Sequence, residues 1–275
     1  MMRLGGPVES QHPDEWVKQL LDFGYTAATL PLDVKNHDLQ DAFGEAARQA
    51  GIVLAEVGAW SNPISLDETE RATAIALCQE QLATADRIGA LCCVNIAGSR
   101  GKKWDGPYAE NFSEDTFALI VDTVREIIDA VKPSRAVYAL ETMPWIFPYD
   151  VDSYLRLIKA IERPQFAVHL DPVNLISSID RYFNNAALLK ECFTKLGAYI
   201  VSCHAKDVRI QEGLTLHIDE TRPGTGVLDY YVYLEQLSKL SKDTPLILEH
   251  LPNEDEYRLG AEYIRKVAGE LNIAL

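Results

Sequence analysis

Four short apolar runs in the second half of the chain each end in a side chain that can carry charge or ligate a metal. Arg135-Ala-Val-Tyr-Ala-Leu closes on Glu141, Phe166-Ala-Val-His-Leu on Asp171, Tyr199-Ile-Val-Ser-Cys on His204, and Pro245-Leu-Ile-Leu on Glu249. The runs are rich in aliphatic and β-branched residues, the composition of strands buried on both faces. Helical stretches separate them, so parallel strands would deliver all four ends to one sheet edge. Two Glu, one Asp and one His form a hard oxygen/nitrogen donor set, suited to a six-coordinate divalent ion.

The elements that must position these residues repeat along the whole chain. Strand-like runs occur near Met2–Leu4, Thr26–Pro31, Ile52–Val57, Leu91–Ala97, Ala136–Glu141, Phe166–Asp171, Tyr199–His204 and Leu246–Glu249. Amphipathic segments lie between them, the clearest placing Phe117, Ile120, Val121, Val124, Ile128 and Val131 on one helical stripe. Ser113 and Glu114 start that helix, Lys132-Pro133 ends it, and Gly24, Gly51 and Gly89 follow three others. A final helix is expected from about Glu254 to Leu271. Eight strands alternating with helices over 275 residues predict an α/β fold, a (β/α)8 TIM barrel forming one domain over residues 1–275. An open doubly wound sheet is the fallback, weakened because no GxGxxG follows an early strand.

In such barrels chemistry sits at the C-terminal ends of strands, where the four residues fall. Strand alternation puts Glu141 on one face with Ala139 and Val137, Asp171 with His169 and Ala167, His204 with Ser202, and Glu249 with Ile247. The small neighbours leave room for an ion and a ligand.

Composition narrows the partners. The net charge of −15 repels polyanions, which disfavours nucleic acid and acidic membrane surfaces. The five cysteines show no CxxC spacing and lie in apolar segments, so they read as buried free thiols. The N-terminus lacks a signal-peptide apolar core, and no stretch is long enough to span a bilayer, which gives the expectation of a soluble, cytoplasmic protein.

The series Leu140-Glu141, His169-Leu-Asp171-Pro-Val-Asn174, His204-Ala-Lys-Asp207 and Leu248-Glu249 resembles the xylose isomerase-like superfamily. Within it, the closer resemblance is to the sugar phosphate isomerase/epimerase group of ketose 3-epimerases, hydroxypyruvate isomerase and inosose dehydratase. Arg222-Pro-Gly-Thr-Gly226 with Asp229-Tyr230 is similar to that group's loop after the seventh strand. The resemblance implies that Glu141, Asp171, His204 and Glu249 are the metal ligands, with Mn²⁺ foremost and Mg²⁺, Co²⁺ or Zn²⁺ as alternatives. It implies further that Glu141 and Glu249 move protons on opposite faces of a substrate carbon, whose acidity a bound divalent ion raises by stabilising an enediolate. The expected activity is isomerisation or epimerisation of a small sugar, ketose or keto-polyol, in a chain that could form a homo-oligomer as relatives often do.

The chain departs from the epimerase pattern at three points. Asn174 stands where epimerases commonly have histidine, Trp145, Ile146 and Phe147 fill a loop that usually holds an acid, and a polar insertion runs from Asp207 to Thr221. These leave open a lyase or dehydratase acting on a keto-sugar or keto-cyclitol, and, from another class, a non-catalytic sugar-binding protein. The paired glutamates argue against the latter. Substrate contacts are expected from His169, Asn174, Lys206, Arg209, Glu56 and Trp145, with Trp60 as a pocket wall and His250 facing away from Glu249. The segment Ala97–Lys103 is a basic, Gly-rich loop at the same rim, able to hold an anion but more readily a solvated loop.

Overall fold

Apolar runs of four to six residues cannot bury both faces alone; joined edge to edge and wrapped by helices, they can. The computed structural model describes residues 2–240 and 243–275 and shows that solution. Eight parallel strands close into a barrel: β1 (Arg3–Gly5), β2 (Ala27–Thr29), β3 (Val53–Gly58), β4 (Cys92–Asn95), β5 (Val137–Glu141), β6 (Phe166–Leu170), β7 (Ile200–Ala205) and β10 (Pro245–Leu248). They lie in sequence order around the ring, and β10 closes it against β1 through the register Leu4↔Leu246. The fold is the expected (β/α)8 TIM barrel.

Eight helices form the outer layer: α1 (Pro13–Asp22), α2 (His37–Ala50), α3 (Glu68–Ile88), α4 (Glu114–Val131), α5 (Val151–Ile161), α7 (Asn185–Leu196), α8 (Tyr230–Leu237) and α9 (Glu254–Glu270). Local chemistry sets their ends. Ser113 Oγ accepts from Thr116 N at 3.1 Å to start α4, and Asp67 caps α3 through Thr69 N and Glu70 N. Gly51 and Gly89 end α2 and α3 in the left-handed conformation, where a side chain would be strained. The buried stripe of α4 holds Phe117, Ile120, Val121, Val124 and Ile128 as expected; Ile127 joins it, while Val131 is only half-buried. Each such side chain contributes roughly 1.5–3 kcal/mol when fully buried.

Two features were not anticipated. A short helix, α6 (Ile179–Phe183), precedes α7 in the connection from β6 to β7. The polar insertion folds as an antiparallel hairpin, β8 (Asp207–Ile210) with β9 (Ile218–Thr221), in the register Asp207↔Thr221 and Val208↔Glu220.

Inside the barrel the side chains are small. Ala27, Ala55 and Ile247 form one buried group, and Cys92, Val94 and Ala139 another. All five cysteines are buried and free. Among the described residues no helix is long and apolar enough to cross a membrane.

One surface interaction fixes the strand that carries Glu141. Asp86, on α3, accepts from the backbone N–H groups of Ser134, Arg135 and Ala136 at 2.9, 2.6 and 2.9 Å, pinning the entry to β5. Partial burial pushes its pKa up, but the three donors outweigh that and hold it below the usual carboxylate value. Asp86→Ala is expected to cost about 2–3 kcal/mol in denaturant unfolding. Because the folded-state pKa is depressed, this contribution is complete above the unfolded value of about 3.9 and is lost as pH falls through the folded one. Wild type and variant should therefore converge in strong acid; an equal difference at all pH values would rule out the charge-assisted anchor.

Candidate active site and metal centre

Each of the four strand-end residues reaches the C-terminal mouth by a local device. Glu141 is the last residue of β5. Asp171 follows β6 and divides its carboxylate: Oδ1 accepts from Val173 N at 2.9 Å and Asn174 N at 3.3 Å, turning the chain, while Oδ2 is left over. Thr142 braces the same backbone, donating to Asp171 O at 2.7 Å and accepting from Asp171 N at 3.1 Å. His204 lies near the end of β7, and Glu249 immediately follows β10.

The structure brings these four together. One donor atom from each lies within 4.8 Å of the others. His204 Nδ1 stands 2.8 Å from Glu249 Oε1, 3.2 Å from Glu141 Oε1 and 3.8 Å from Asp171 Oδ2. Lys206, only 2% exposed, sends Nζ to 2.7 Å from Asp171 Oδ2, 3.3 Å from Glu220 Oε1, and into contact with Glu249 Oε1. Asp171 Oδ2 and Glu249 Oε1 are buried acceptors without a well-aligned hydrogen bond, despite these close ion pairs. Two orphaned carboxylate oxygens, a third carboxylate and an imidazole nitrogen on one point fit a divalent cation.

Crowding separates the titrations. Burial and the neighbouring Glu249 charge raise the Glu141 pKa against the pull of His204 and Lys206. Burial acts the same way on Asp171 and Glu249, but the adjacent Lys206 and His204 cations prevail and hold both low. His204 and Lys206 are raised well above their ordinary values: burial opposes their charge, and the surrounding carboxylates overcome it.

One layer deeper, Glu56 and His169 meet each other. Glu56 Oε1 lies 2.8 Å from His169 Nε2 and accepts from Ser202 Oγ at 2.6 Å, while Oε2 faces His204 Nε2 at 3.6 Å. Both side chains are essentially buried. Facing Glu56, a His204 that ligates an ion through Nδ1 would keep its proton on Nε2. Glu56 and His169, expected as substrate contacts, thus stand beneath the site, although Glu56 also edges a cavity of about 210 Å³ on the β1–β3 side.

Above the four lies a cavity of about 410 Å³, whose lining includes Glu141, Glu249, Asn174, Lys206, Trp60 and Trp145. Asn174 Nδ2 donates to Glu141 Oε1 at 3.1 Å, and Trp145 Nε1 to Asp105 O at 2.8 Å. Arg209 is exposed on β8 and lines neither cavity. The lining residues that escaped the sequence reading include Trp104, Asp105, Met143, Glu220 and His250. Glu220 is returned to Lys206 by the hairpin. His250, expected to face away from Glu249, has φ of +57° and places Nδ1 2.8 Å from Glu220 Oε2, because a left-handed residue breaks strand alternation. Asp207 Oδ2 accepts from Gly224 N and Gly226 N at 3.0 and 3.1 Å, which gives the Arg222–Gly226 loop its shape.

The chain belongs to the xylose isomerase-like TIM barrel family, whose model matches residues 17–267. Among solved structures it resembles D-psicose 3-epimerase with D-tagatose from Clostridium cellulolyticum H10, with 14% identity over 99% of this chain and 100% of that one and a TM-score of 0.72. It resembles the probable 3-DHS dehydratase involved in petrobactin synthesis from Bacillus anthracis, at 15% identity, 98% and 99% coverage and a TM-score of 0.73. A xylose isomerase-like TIM barrel protein from Mycobacterium smegmatis, in complex with magnesium, matches at 14% identity, 98% and 97% coverage and a TM-score of 0.70. No curated protein matches.

The deeper layer yields an expected outcome. Glu56→Gln keeps the shape but removes the charge facing His204 Nε2, so Mn²⁺ affinity in equilibrium dialysis should fall about 10–100-fold. Unchanged affinity in a folded variant would show that Glu56 does not orient the ligand.

Proposed function

We propose that the protein is a divalent-metal-dependent isomerase or epimerase acting on a small sugar, ketose or keto-polyol. The observation that carries this reading is the approach of Glu141 and Glu249, from strands three apart around the barrel, to one point shared with Asp171 and His204 at the floor of a cavity. Glu141, Asp171, His204 and Glu249 would hold the ion. Bound there, it supplies Lewis-acid polarisation of a carbonyl and neighbouring hydroxyl.

The remaining steps belong to the side chains. One glutamate accepts the proton from the carbon beside the carbonyl, and the other returns a proton from the opposite side. Asn174, hydrogen-bonded to Glu141, holds that carboxylate in place. Lys206 offers a buried ammonium to a developing oxyanion. The walls of the cavity limit water around the intermediate.

Mn²⁺ is the ion proposed first; the magnesium in the Mycobacterium smegmatis relative makes Mg²⁺ the leading alternative. The D-psicose 3-epimerase relative supports epimerisation at the level of shared architecture. A second reading, β-elimination from the same enolate, is favoured by Lys206, a buried cation able to assist a departing hydroxyl, and by the likeness to a probable dehydratase. A purely sugar-binding role is less favoured, because binding alone does not call for two carboxylates facing one carbon.

Glu141→Gln and Glu249→Gln are each expected to lower turnover at least about 10²-fold, the usual scale for a lost general base. Ketoses, keto-acids and ketoinositols with Mn²⁺ in D₂O provide the assay: solvent deuterium in product marks reprotonation, and a new ultraviolet-absorbing conjugated carbonyl marks elimination. Full turnover in both variants would place the chemistry elsewhere. Absence of both exchange and elimination across the panel would remove the enolate mechanism.

A further inference from the structure

The cavity over Glu141 and Glu249 has two properties that the carboxylate cluster beneath it does not require. Three of the chain's four tryptophans, Trp60, Trp104 and Trp145, line it, each half-buried, and Met143 and Ile96 complete the apolar wall. The fourth, Trp16, is fully buried elsewhere. Its volume of about 410 Å³ is near the lower end of the ~300–1,000 Å³ in which proteins hold small ligands.

The second property is charge. The basic side chains on the wall are Lys103, Lys206 and His250, with no arginine among them. Each already faces a carboxylate. Lys103 Nζ lies 3.1 Å from Asp105 Oδ1, Lys206 is held by Asp171, Glu220 and Glu249, and His250 Nδ1 lies 2.8 Å from Glu220 Oε2. In the basic loop Ala97–Lys103, Arg100 Nη1 donates to the Ile64 and Ser65 carbonyls, and Lys102 is exposed and off the cavity wall. Of two neighbouring cavities that share Glu249, one has no lysine or arginine on its wall, and the other has Lys206 and Arg222, whose Nε donates to Glu256 Oε2 at 2.8 Å.

The wall's buried groups without a hydrogen bond are acceptors. Among the described residues, three of the six buried polar side-chain atoms left without a hydrogen bond are carboxylate oxygens at or just beneath this cavity: Asp171 Oδ2 and Glu249 Oε1, which an ion would take, and Asp105 Oδ1, which stays on the wall. Acceptors call for donors. A sugar supplies hydroxyl protons and C–H faces that rest against indole rings; a phosphate or carboxylate supplies more acceptors and more negative charge, in a chain of net charge −15. A phosphate site would need free cations or converging backbone N–H groups.

We infer that this cavity selects an uncharged, unphosphorylated sugar or cyclitol, its hydroxyls on the wall carboxylates Asp105 and Glu220 and its C–H face on Trp60, Trp104 and Trp145. The inference rests on reading the site as one that handles sugars, and it narrows that class by excluding sugar phosphates and keto-acids.

Because the cavity holds three of the four tryptophans, ligand binding can be followed by indole fluorescence without turnover. The probes are D-fructose, D-psicose, D-tagatose and 2-keto-myo-inositol, set against D-fructose 6-phosphate, D-ribulose 5-phosphate and 3-dehydroshikimate, with Mn²⁺-loaded protein. At least one neutral probe should shift the emission, and each charged probe should bind at least tenfold more weakly than that one. Trp104→Ala should weaken the neutral probe by about threefold to tenfold, the scale of one aromatic contact. Asp105→Asn, which frees Lys103, should narrow the preference against the 6-phosphate. A charged probe binding as well as the best neutral one, or no neutral probe binding at all, would overturn the inference. A neutral sugar that binds but is neither exchanged nor converted would sink the isomerase reading and leave this one standing; conversion of a phosphorylated ketose would do the reverse.

Discussion

The mouth of this barrel is governed by the need to balance buried negative charge. Glu56, Glu141 and Asp171 are each 5% exposed or less, and Glu249 stands beside them. A carboxylate removed from water without a partner carries a penalty of several kcal/mol, so a cluster of them persists only if cations enter the same volume. β7 provides both. His204 and Lys206 are two residues apart at its exit, so strand alternation points both inward, and β7 sits between β6 and β10, which deliver Asp171 and Glu249. Positive charge from one strand is thereby enclosed by negative charge from its two neighbours.

This balance has two levels of completion. In the lower layer Ser202, His169 and His204 surround Glu56, and its oxygens are engaged. In the upper layer Asp171 Oδ2 and Glu249 Oε1 have charge partners but no well-directed donor. Attraction between unlike charges is non-directional, whereas a hydrogen bond or a metal–ligand bond has a preferred geometry. The lower layer thus fixes the orientation of His204, and the upper layer keeps lone pairs for something that arrives from the cavity.

Much of this could be read from the sequence, because it depends on local properties. The strand ends bearing Glu141, Asp171, His204 and Glu249 were visible as apolar runs stopping at a polar residue, and Ser113, Gly51 and Gly89 marked helix ends. What escaped depends on pairing or unusual backbone. Glu220 is remote from Lys206 along the chain, and only the Asp207↔Thr221 register of the hairpin returns it there. His250 follows a strand whose alternation would turn it outward, and its left-handed backbone cancels that rule. Glu56, expected as a substrate contact, lies two residues inside the end of β3, where it meets His169 and Ser202 and edges the cavity on the β1–β3 side.

The hairpin shows how an insertion can alter a site without supplying a ligand to it. By returning Glu220 to Lys206 and His250, it adds a further carboxylate above a cluster that already carries several, and it engages two of the three basic side chains on the cavity wall. At 3.3 Å and an effective dielectric of about 20, the Lys206–Glu220 pair interacts by roughly 5 kcal/mol before desolvation is counted, whereas solvent screens the more exposed His250–Glu220 pair to about 1 kcal/mol or less. A divalent ion on the four lower donors would take Asp171 and Glu249 from Lys206 and offset much of the negative excess, and Glu220 would remain beside Lys206 and His250. The electrostatic freedom that remains is for hydroxyl donors, which reach carboxylate oxygens without bringing net charge. The feature that departs most from the sequence pattern of the epimerases is therefore also the one that sets the charge of the cavity wall.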